Sequence, residues 1–470
     1  MVYKHITATV FRLAAVCALL TAASLSGAWY WPFGGKSKAK SKPSEGISAP
    51  TFGVDEQPGI PRQKTKTTPK KEETVSVERL EKLAKEGNHQ AMLALGDIYF
   101  TGRANVKQNY RKAAQLFEKA ADLGNGQAMF NLGLCYDGGF GVNKSLEQAR
   151  QWYVKAADAG VPEAQMKVAV IAEDEGDYVQ AMKYLRQLVD AGNAACMRKV
   201  ALFILNGLGD PAPASEAVSL LSQAALKGDI RAQVRLADCY QRGVGVERDY
   251  NEMFSWLNMA AQDGDPEAQA KLGYCYQAGM GAVRNTDVAV TWYATAAKAG
   301  YAPALVALAT CYRDGAGVAR DLAKAVEYYR LAANQGDSLG EYNLGMAYLE
   351  GRAVPKSVTD AWRWIERSAR QAYAPAELRL GMMYEEGVGT AVDLAAAVQW
   401  YRRAAAQAEP EALFKLGMCL LQGRGTPLDQ KAARDSFVQA ASLGHRGALA
   451  ALEQLSKPAE PPPTASQPEK

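Results

Sequence analysis

Histidines are the first residues to consider for catalytic chemistry in this chain, and only His89 and His445 lie beyond the N-terminal leader. Acid–base or nucleophilic catalysis needs a group that titrates near neutral pH within hydrogen-bond reach of its partner. The two histidines lie near opposite ends of the chain, in predicted turns, so we expect each to be an isolated surface residue. Their scarcity also argues against a zinc site. We therefore predict no catalytic residue, no metal and no cofactor.

Cysteines form a second candidate, because five of them fall at the same place in a repeating pattern. They are Cys135, Cys239, Cys275, Cys311 and Cys419. Elsewhere in the pattern this place holds Ile, Phe, Ala or Met, which is typical of a core position. Successive repeats should also hold these sulfurs further apart than a disulfide allows, about 4.4–6.8 Å between Cα atoms. The pattern predicts buried, free thiols.

Paired glycines resemble phosphate-binding loops at first sight, as in GVGV at 243–246 and GAGV at 315–318. A phosphate loop also needs a following Lys-Ser/Thr and a preceding strand. Neither is present, so these glycines predict tight turns that use positive φ angles.

All these residues belong to a repeat that is marked by a small residue, which we number position 0. The markers are Ala91, Ala128, Ala164, Cys196, Ala232, Ala268, Ala304, Gly340, Ala376, Ala412 and Ala448, spaced by 37, 36, 32 and then seven times 36 residues. Such a fixed period is typical of a stacked array in which each repeat buries its apolar face against its neighbours.

Positions 4, 5, 7 and 8 are apolar or small, which is helical spacing. Position 5 is Gly or Ala in all ten repeats, so we expect a neighbouring backbone to approach closely there.

A second helix should follow each turn, beginning at a capping residue worth about 1 kcal/mol. The predicted caps are Asn109, Ser145, Asp177, Asp249, Asn285, Asp321, Ser357, Asp393 and Asp429. Each second helix carries a large residue, as at Trp152, Tyr184, Trp256, Trp292, Tyr328, Trp364 and Trp400, and ends at a Gly that Ala372 and Ala408 replace in two repeats.

The pattern AxxxLGxxYxxGxGVxxDxxxAxxWYxxAAxxG resembles the Sel-one-like repeat, a relative of the tetratricopeptide family, over residues 76–456. The resemblance implies an all-α, right-handed α-solenoid superhelix of about ten 36-residue helix-turn-helix repeats that binds a protein or peptide. Cysteine-rich exported members of that family pair a cysteine in each helix of one hairpin, and this chain lacks such pairs.

Both ends of the chain differ from the array. Residues 1–28 read as a signal peptide, or as an uncleaved membrane anchor if the apolar stretch to residue 33 is retained. Residues 29–75 read as a disordered basic linker and 457–470 as a disordered Pro-rich tail. Eleven Lys and Arg against five Asp and Glu give residues 1–75 a charge of +6, and the tail is neutral. Since the whole chain carries +4, the array carries a charge of −2, which gives no support for nucleic-acid binding.

Two patterns on the first helices are candidate partner-binding surfaces. The position-3 ladder is cationic or amide-bearing: Lys167, Lys199, Arg235, Lys271, Arg379 and Lys415, with Asn131 and Asn343. In tetratricopeptide relatives such ladders can clamp a peptide carboxylate, whereas the alternative is a solvated helical face. The apolar stripe occupies positions 2, 6 and 9 of the last three repeats: Tyr342, Met346, Leu349; Leu378, Met382, Glu385; and Phe414, Met418, Leu421. It either lines a groove or is buried between helices.

These observations favour a non-catalytic scaffold of the bacterial cell envelope, exported to the periplasm or secreted, which binds a protein or peptide on its concave face. One alternative is an assembly or regulatory factor anchored in the inner membrane through residues 1–33. Another is a hydrolase acting on cell-wall or β-lactam substrates, as the resemblance implies for some relatives. We find no nucleophile and base for it, and we predict no small-molecule substrate.

Overall fold

The computed structural model describes residues 76–456, which form 22 helices and no strand. No helix within this range is both long enough and apolar enough to cross a membrane. The predicted signal peptide or anchor, the linker up to residue 75 and the tail from residue 457 lie outside the described residues, so they stay predictions.

The described chain divides into two compact units, an N-terminal unit that ends at Asp263 and a C-terminal unit that begins at Gly264. The N-terminal unit holds α1 (Val77–Lys85), α2 (His89–Thr101), α3 (Tyr110–Asp122), α4 (Gly126–Gly138), α5 (Leu146–Asp158), α6 (Pro162–Asp174), α7 (Tyr178–Asp190), α8 (Ala194–Leu205), α9 (Ala214–Leu226), α10 (Ile230–Arg242) and α11 (Tyr250–Gln262). The C-terminal unit holds α12 (Pro266–Ala278), α13 (Thr286–Lys298), α14 (Ala302–Asp314), α15 (Leu322–Asn334), α16 (Ser338–Glu350), α17 (Val358–Arg370), α18 (Ala374–Glu386), α19 (Leu394–Ala405), α20 (Pro410–Gln422), α21 (Gln430–Ser442) and α22 (Arg446–Ser456).

Even-numbered helices from α2 to α20 are the first helices of the ten repeats, and odd-numbered helices from α3 to α21 are the second. Within each unit a helix packs mainly on the helix before it and the helix after it in the chain. This nearest-neighbour packing confirms the α-solenoid of helical hairpins that the 36-residue period predicts.

Capping side chains start the second helices as predicted. All nine predicted caps accept a hydrogen bond from a backbone N–H in the first turn of the helix that follows. The remaining repeat has Pro213 at this place and no side-chain cap. The irregular GLGDPAPAS turn therefore replaces a hydrogen bond with the fixed φ angle of proline.

The predicted close approach at position 5 is confirmed, but the nearest atoms belong to a side chain and not, as we expected, to the backbone. A β-carbon added at Gly133 would lie 2.7 Å from the ring of Tyr153, and one added at Gly381 would lie 2.7 Å from the ring of Tyr401. Backbone carbonyls of the same second helices are further away, at 3.3 Å. A large buried side chain of the second helix therefore sets the distance between the two helices of a hairpin.

Residues with a left-handed backbone conformation follow the second helices. Gly300 and Gly336 have φ angles of 79° and 83°, and the alanines at this place, Ala372 and Ala408, adopt 61° and 59°. Because a side chain is strained in this conformation, the two alanines are local weak points in the C-terminal unit.

Candidate binding surface

The position-3 ladder lies on the first helices, and in the N-terminal unit it joins neighbouring repeats. Lys167 Nζ lies 3.3 Å from Asp137 Oδ2, the carboxylate at position 9 of the preceding repeat. Lys199 pairs with Glu173, again at position 9 of the preceding repeat. These lysines therefore act between repeats rather than facing solvent without a partner.

Other ladder cations find carboxylates on their own helix. Arg235 lies 2.9 Å from Asp238, three residues later, and the buried Lys271 lies 2.8 Å from Glu267, four residues earlier. Asn343 also stays local, because its side-chain amide donates to the Leu339 carbonyl at 2.9 Å.

Lys415 repeats the arrangement of Lys167 in the C-terminal unit. Its Nζ lies 3.3 Å from Glu385, which also accepts a 2.6 Å hydrogen bond from the Tyr401 hydroxyl and pairs with Arg424. Burial raises the pKa of Glu385, but the Tyr401 hydrogen bond and the two cations outweigh burial and hold this pKa below its ordinary value. Glu385 therefore stays ionised and joins two repeats.

Arg379 differs from every other cation of the ladder. Among the described residues it forms no ion pair, and its Nε is buried without a hydrogen-bond partner. Burial raises the pKa of the nearby Tyr342, with smaller contributions from Glu350 and Glu409. The Arg379 charge partly opposes this pKa shift. The structure thus leaves a partly buried guanidinium without a counterion at the middle repeat of the apolar stripe.

Positions 2 and 6 of the apolar stripe are neither fully buried nor fully exposed. Tyr342, Met346, Leu378, Met382, Phe414 and Met418 are all partly buried and pack against core clusters with part of their surface. At position 9, Leu349 is 8% exposed and Glu385 is ion-paired, whereas Leu421 is partly buried. Positions 2 and 6, which are partly accessible in all three repeats, are called the accessible part of the stripe.

Two carboxylates of the C-terminal unit are fully buried at position 1 of their repeats. Glu341 lies 2.8 Å from the Arg367 guanidinium and accepts a 2.7 Å hydrogen bond from Gln371. Glu377 lies 2.9 Å from Arg403 in the same way. Burial raises the pKa of both carboxyls, and their arginines oppose this shift. Both buried charges thus have a counterion, unlike Arg379.

The histidines are not isolated surface residues, which corrects our expectation. His89 is the first residue of α2, and its Nδ1 lies 2.9 Å from Asn125 Nδ2. His445 lies 2.9 Å from Glu411, stacks on Phe414 and accepts a hydrogen bond from the Ala448 backbone N–H. His89 thus lies at the start of α2, and His445 lies in the predicted turn directly before α22, where it caps a backbone N–H.

Buried cysteines are confirmed at the predicted core position. The six cysteines of residues 76–456 are buried free thiols. Burial raises the pKa of Cys135 and Cys275 to about 12 and that of Cys239 and Cys311 to about 11. A thiol with so high a pKa is a poor nucleophile at neutral pH. In the same residues no group of three His, Cys, Asp or Glu side chains is placed to hold a metal ion.

A cavity of about 540 Å³ lies in the N-terminal unit, next to the shortened repeat. Met166, Leu202 and Phe203 give it an apolar lining, and the Lys199–Glu173 pair lies along it. Its charged groups are paired within the protein, so it offers no free charge to a ligand.

Comparison with known families agrees with this architecture. A profile of the Sel1 repeat matches ten consecutive segments from residue 89 to residue 445, which is well over half of the chain. The chain belongs to the Sel1 repeat family. Proteins of this family are protein-interaction scaffolds, and the family in general is non-catalytic.

Solved Sel1 repeat structures include a protective antigen from uropathogenic Escherichia coli strains that displays an SLR fold. It is 32% identical, and the match covers 81% of this chain and 82% of the antigen with a TM-score of 0.55. A Sel1 repeat protein from Oxalobacter formigenes is 25% identical over 80% of this chain and 89% of its own, with a TM-score of 0.46.

A curated relative is the ERAD-associated E3 ubiquitin-protein ligase component HRD3 of Candida glabrata. It is 37% identical over 71 residues, which are 15% of this chain and 8% of that protein. The chain thus spans only a small part of the curated relative's length, and the similarity is one of repeats.

Reasoning from the family pattern missed the residues that decide which ladder members are paired. Position 9 is acidic opposite Lys167 and Lys415, and it is Leu349 opposite Arg379. The signal was present in the sequence as a residue 30 places before each cation. This spacing can be interpreted only when the packing of successive Sel1 repeats shows that position 9 of one repeat contacts position 3 of the next.

Proposed function

We propose that this Sel1 repeat protein is a non-catalytic scaffold that binds a protein or peptide along the accessible part of the apolar stripe. The observation that carries the proposal is the run of partly exposed Met and aromatic side chains at positions 2 and 6 of three successive repeats. Methionine side chains adapt to different shapes, and clustered apolar surface is typical of binding sites. If the array curves as the family resemblance implies, this surface lies on the concave face.

We further propose that the protein works in the bacterial cell envelope, exported by residues 1–28 and held on the linker of residues 29–75. The apolar, uncharged run from Leu13 to Ala23, which is followed by small residues at 26–28, supports this location. The alternative, an inner-membrane-anchored assembly factor, shares the binding surface and differs in whether the N-terminal segment is retained.

The binding surface is tested by crosslinking the full chain in its host cells and comparing variants. We expect Met382→Ser and Phe414→Ser to lose one crosslinked partner. Leu331→Ser is the control, because Leu331 is 44% exposed on the second helix α15. Thermal unfolding of each variant separates lost binding from lost folding. Equal crosslinking by all three folded variants would show that the stripe is not the binding surface.

Location is tested by the intact mass of the protein in fractionated cells. A species that begins at Trp29 outside the cytoplasm is expected for an exported scaffold. A full-length species in the membrane fraction would instead support the anchored assembly factor.

A further inference from the structure

The ladder cations are neutralised in three ways, and all three are missing at Arg379. Lys167 and Lys415 pair with an acid 30 residues earlier, Arg235 with an acid three residues later, and Lys271 with an acid four residues earlier. The residues in these three places relative to Arg379 are Leu349, Met382 and Pro375, listed in the same order. None of these three places therefore offers Arg379 a carboxylate.

We expect an arginine in this situation to lower the stability of the free protein. Removing a charged group from water is unfavourable unless a counterion and hydrogen bonds replace the water. The Arg379 Nε has lost its access to water and has gained no acceptor. The opposite case lies in the same compact unit, where the buried Glu341 and Glu377 each have an arginine. Arg379 thus has unused capacity to bind an anion.

We propose that Arg379 receives the side-chain carboxylate of an Asp or Glu from a partner polypeptide that lies along the apolar stripe. This inference rests on the proposed function and specifies the chemistry of the partner. A guanidinium binds a carboxylate through two parallel N–H···O hydrogen bonds, which is a strong and directional contact.

Neighbouring ladder positions limit the ligand to a single carboxylate at this place. Asn343 in the preceding repeat already donates to the Leu339 carbonyl, and Lys415 in the following repeat already pairs with Glu385. A ligand with several negative charges would find only the one free cation among these three ladder residues.

The apolar stripe on both sides of Arg379 indicates where the acid lies in the partner. Tyr342 and Met346 belong to the repeat before Arg379, and Phe414 and Met418 belong to the repeat after it. A polypeptide that covers both pairs must continue in both directions from its acid. We therefore infer an internal Asp or Glu flanked by apolar side chains, and not a chain terminus.

A phage library of random dodecapeptides, selected against the full chain, supplies the probe. We expect the selected peptides to share one internal acid flanked by Leu, Met or aromatic residues. Arg379→Met should weaken their binding about tenfold or more, since it removes a charge-assisted pair. Lys415→Met is the matched control, because Lys415 lies at the same position and is already paired; it should change the affinity much less.

Charge reversal gives an independent readout of the same contact. Arg379→Glu should bind the selected peptide poorly, and the same peptide with its acid changed to Lys should recover binding to this variant. Thermal unfolding adds a readout without ligand. Arg379→Met should unfold at the same temperature as the wild type or higher, whereas Lys415→Met should unfold at a lower temperature.

Three results would overturn the inference: selected peptides without an acid, acidic peptides that bind Arg379→Met as well as the wild type, or no selection of any peptide. The proposed function is judged separately, because the crosslinking of Met382→Ser and Phe414→Ser does not depend on the charge of the partner. Loss of that crosslink together with any of the three results would leave a scaffold whose partner does not use Arg379.

Discussion

The same ladder position has different surroundings at Lys167 and Lys199 in the N-terminal unit and at Arg379 in the C-terminal unit. In the N-terminal unit Lys167 and Lys199 are paired with the position-9 carboxylates of the preceding repeats, Asp137 and Glu173. In the C-terminal unit Arg379 follows a repeat whose position 9 is the buried Leu349. The cation therefore joins two repeats in the first case, whereas in the second the described residues give it no ion pair.

The difference shows that the type of residue at a repeat position does not define its role. Lys167 and Lys415 pair with an acid at position 9 of the preceding repeat, and Arg235 pairs with an acid on its own helix. Arg379 has neither kind of partner among the described residues. In a solenoid the neighbouring repeat supplies this context, because each repeat contacts only its neighbours.

The largest effect should come from the packing position that both units share. Gly133→Val and Gly381→Val would each place side-chain atoms into the ring of Tyr153 or Tyr401, at sites where a β-carbon alone would lie at 2.7 Å. We expect each variant to lower the free energy of unfolding by about 2–3 kcal/mol, as measured by urea denaturation. Gly381→Ala is the milder control. A valine variant with wild-type stability would show that the hairpin is loosely packed there.

A carboxylate added 30 residues before Arg379 should convert its surroundings into those of Lys167. Leu349→Glu places an acid 30 residues before Arg379, as Asp137 lies before Lys167. We expect the affinity for an acidic peptide selected on the wild type to fall about tenfold, as measured by titration calorimetry. Leu349→Gln loses the same apolar packing without adding charge, so it should bind the peptide more tightly than Leu349→Glu. Equal affinities would contradict the comparison.

Removal of a position-9 carboxylate should lower stability in both units, and more at Glu385 than at Asp137. The folded pKa of Glu385 is lowered, so its contribution to stability is fully present above the unfolded pKa of about 4.3 and is lost as the pH falls through the lower folded pKa. Glu385→Gln should lower stability by about 1–2 kcal/mol near neutral pH. Thermal unfolding as a function of pH should show this deficit shrinking in acid.

Asp137→Asn is the matched change in the N-terminal unit. The Asp137 side chain is 32% exposed against 14% for Glu385, so we expect a smaller loss of stability near neutral pH. A larger loss for Asp137→Asn would reverse the order that burial predicts.

The smallest effect should come from the left-handed alanines of the C-terminal unit. Ala372→Gly and Ala408→Gly relieve strained φ angles of 61° and 59°. The greater freedom of glycine in the unfolded chain opposes this gain, so we expect each change to raise stability by roughly 0.5 kcal/mol. Urea denaturation should show the opposite change for Gly336→Ala, which introduces the strain. Destabilisation by both glycine variants would show that the positive φ angles of Ala372 and Ala408 are not a source of strain.

Local features of the fold were predictable from the sequence because they depend on residues close together in the chain. The nine caps lie within one helical turn of the N–H groups they bind, and the buried cysteine position follows from helical spacing. The contact at position 5 was predicted as close, but the ring of Tyr153 or Tyr401 could not be identified as the nearest atom. That identification depends on how the two helices of a hairpin rotate against each other.

The candidate site was predictable only in its composition. The sequence placed cations at position 3 and apolar residues at positions 2 and 6. It did not separate Lys415 from Arg379, because the pairing of Lys415 spans 30 residues and depends on the packing of one repeat on the next. The segments before residue 76 and after residue 456 stay predictions.

The buried cysteines give the protein a set of internal reporters. The buried thiols Cys135, Cys196, Cys239, Cys275, Cys311 and Cys419 lie in six different repeats. A thiol reagent can reach each buried sulfur only when its repeat opens. The cysteines that react first would therefore identify the least stable hairpins. Labelling rates under native conditions would therefore rank the repeats by their opening free energies without any added probe group.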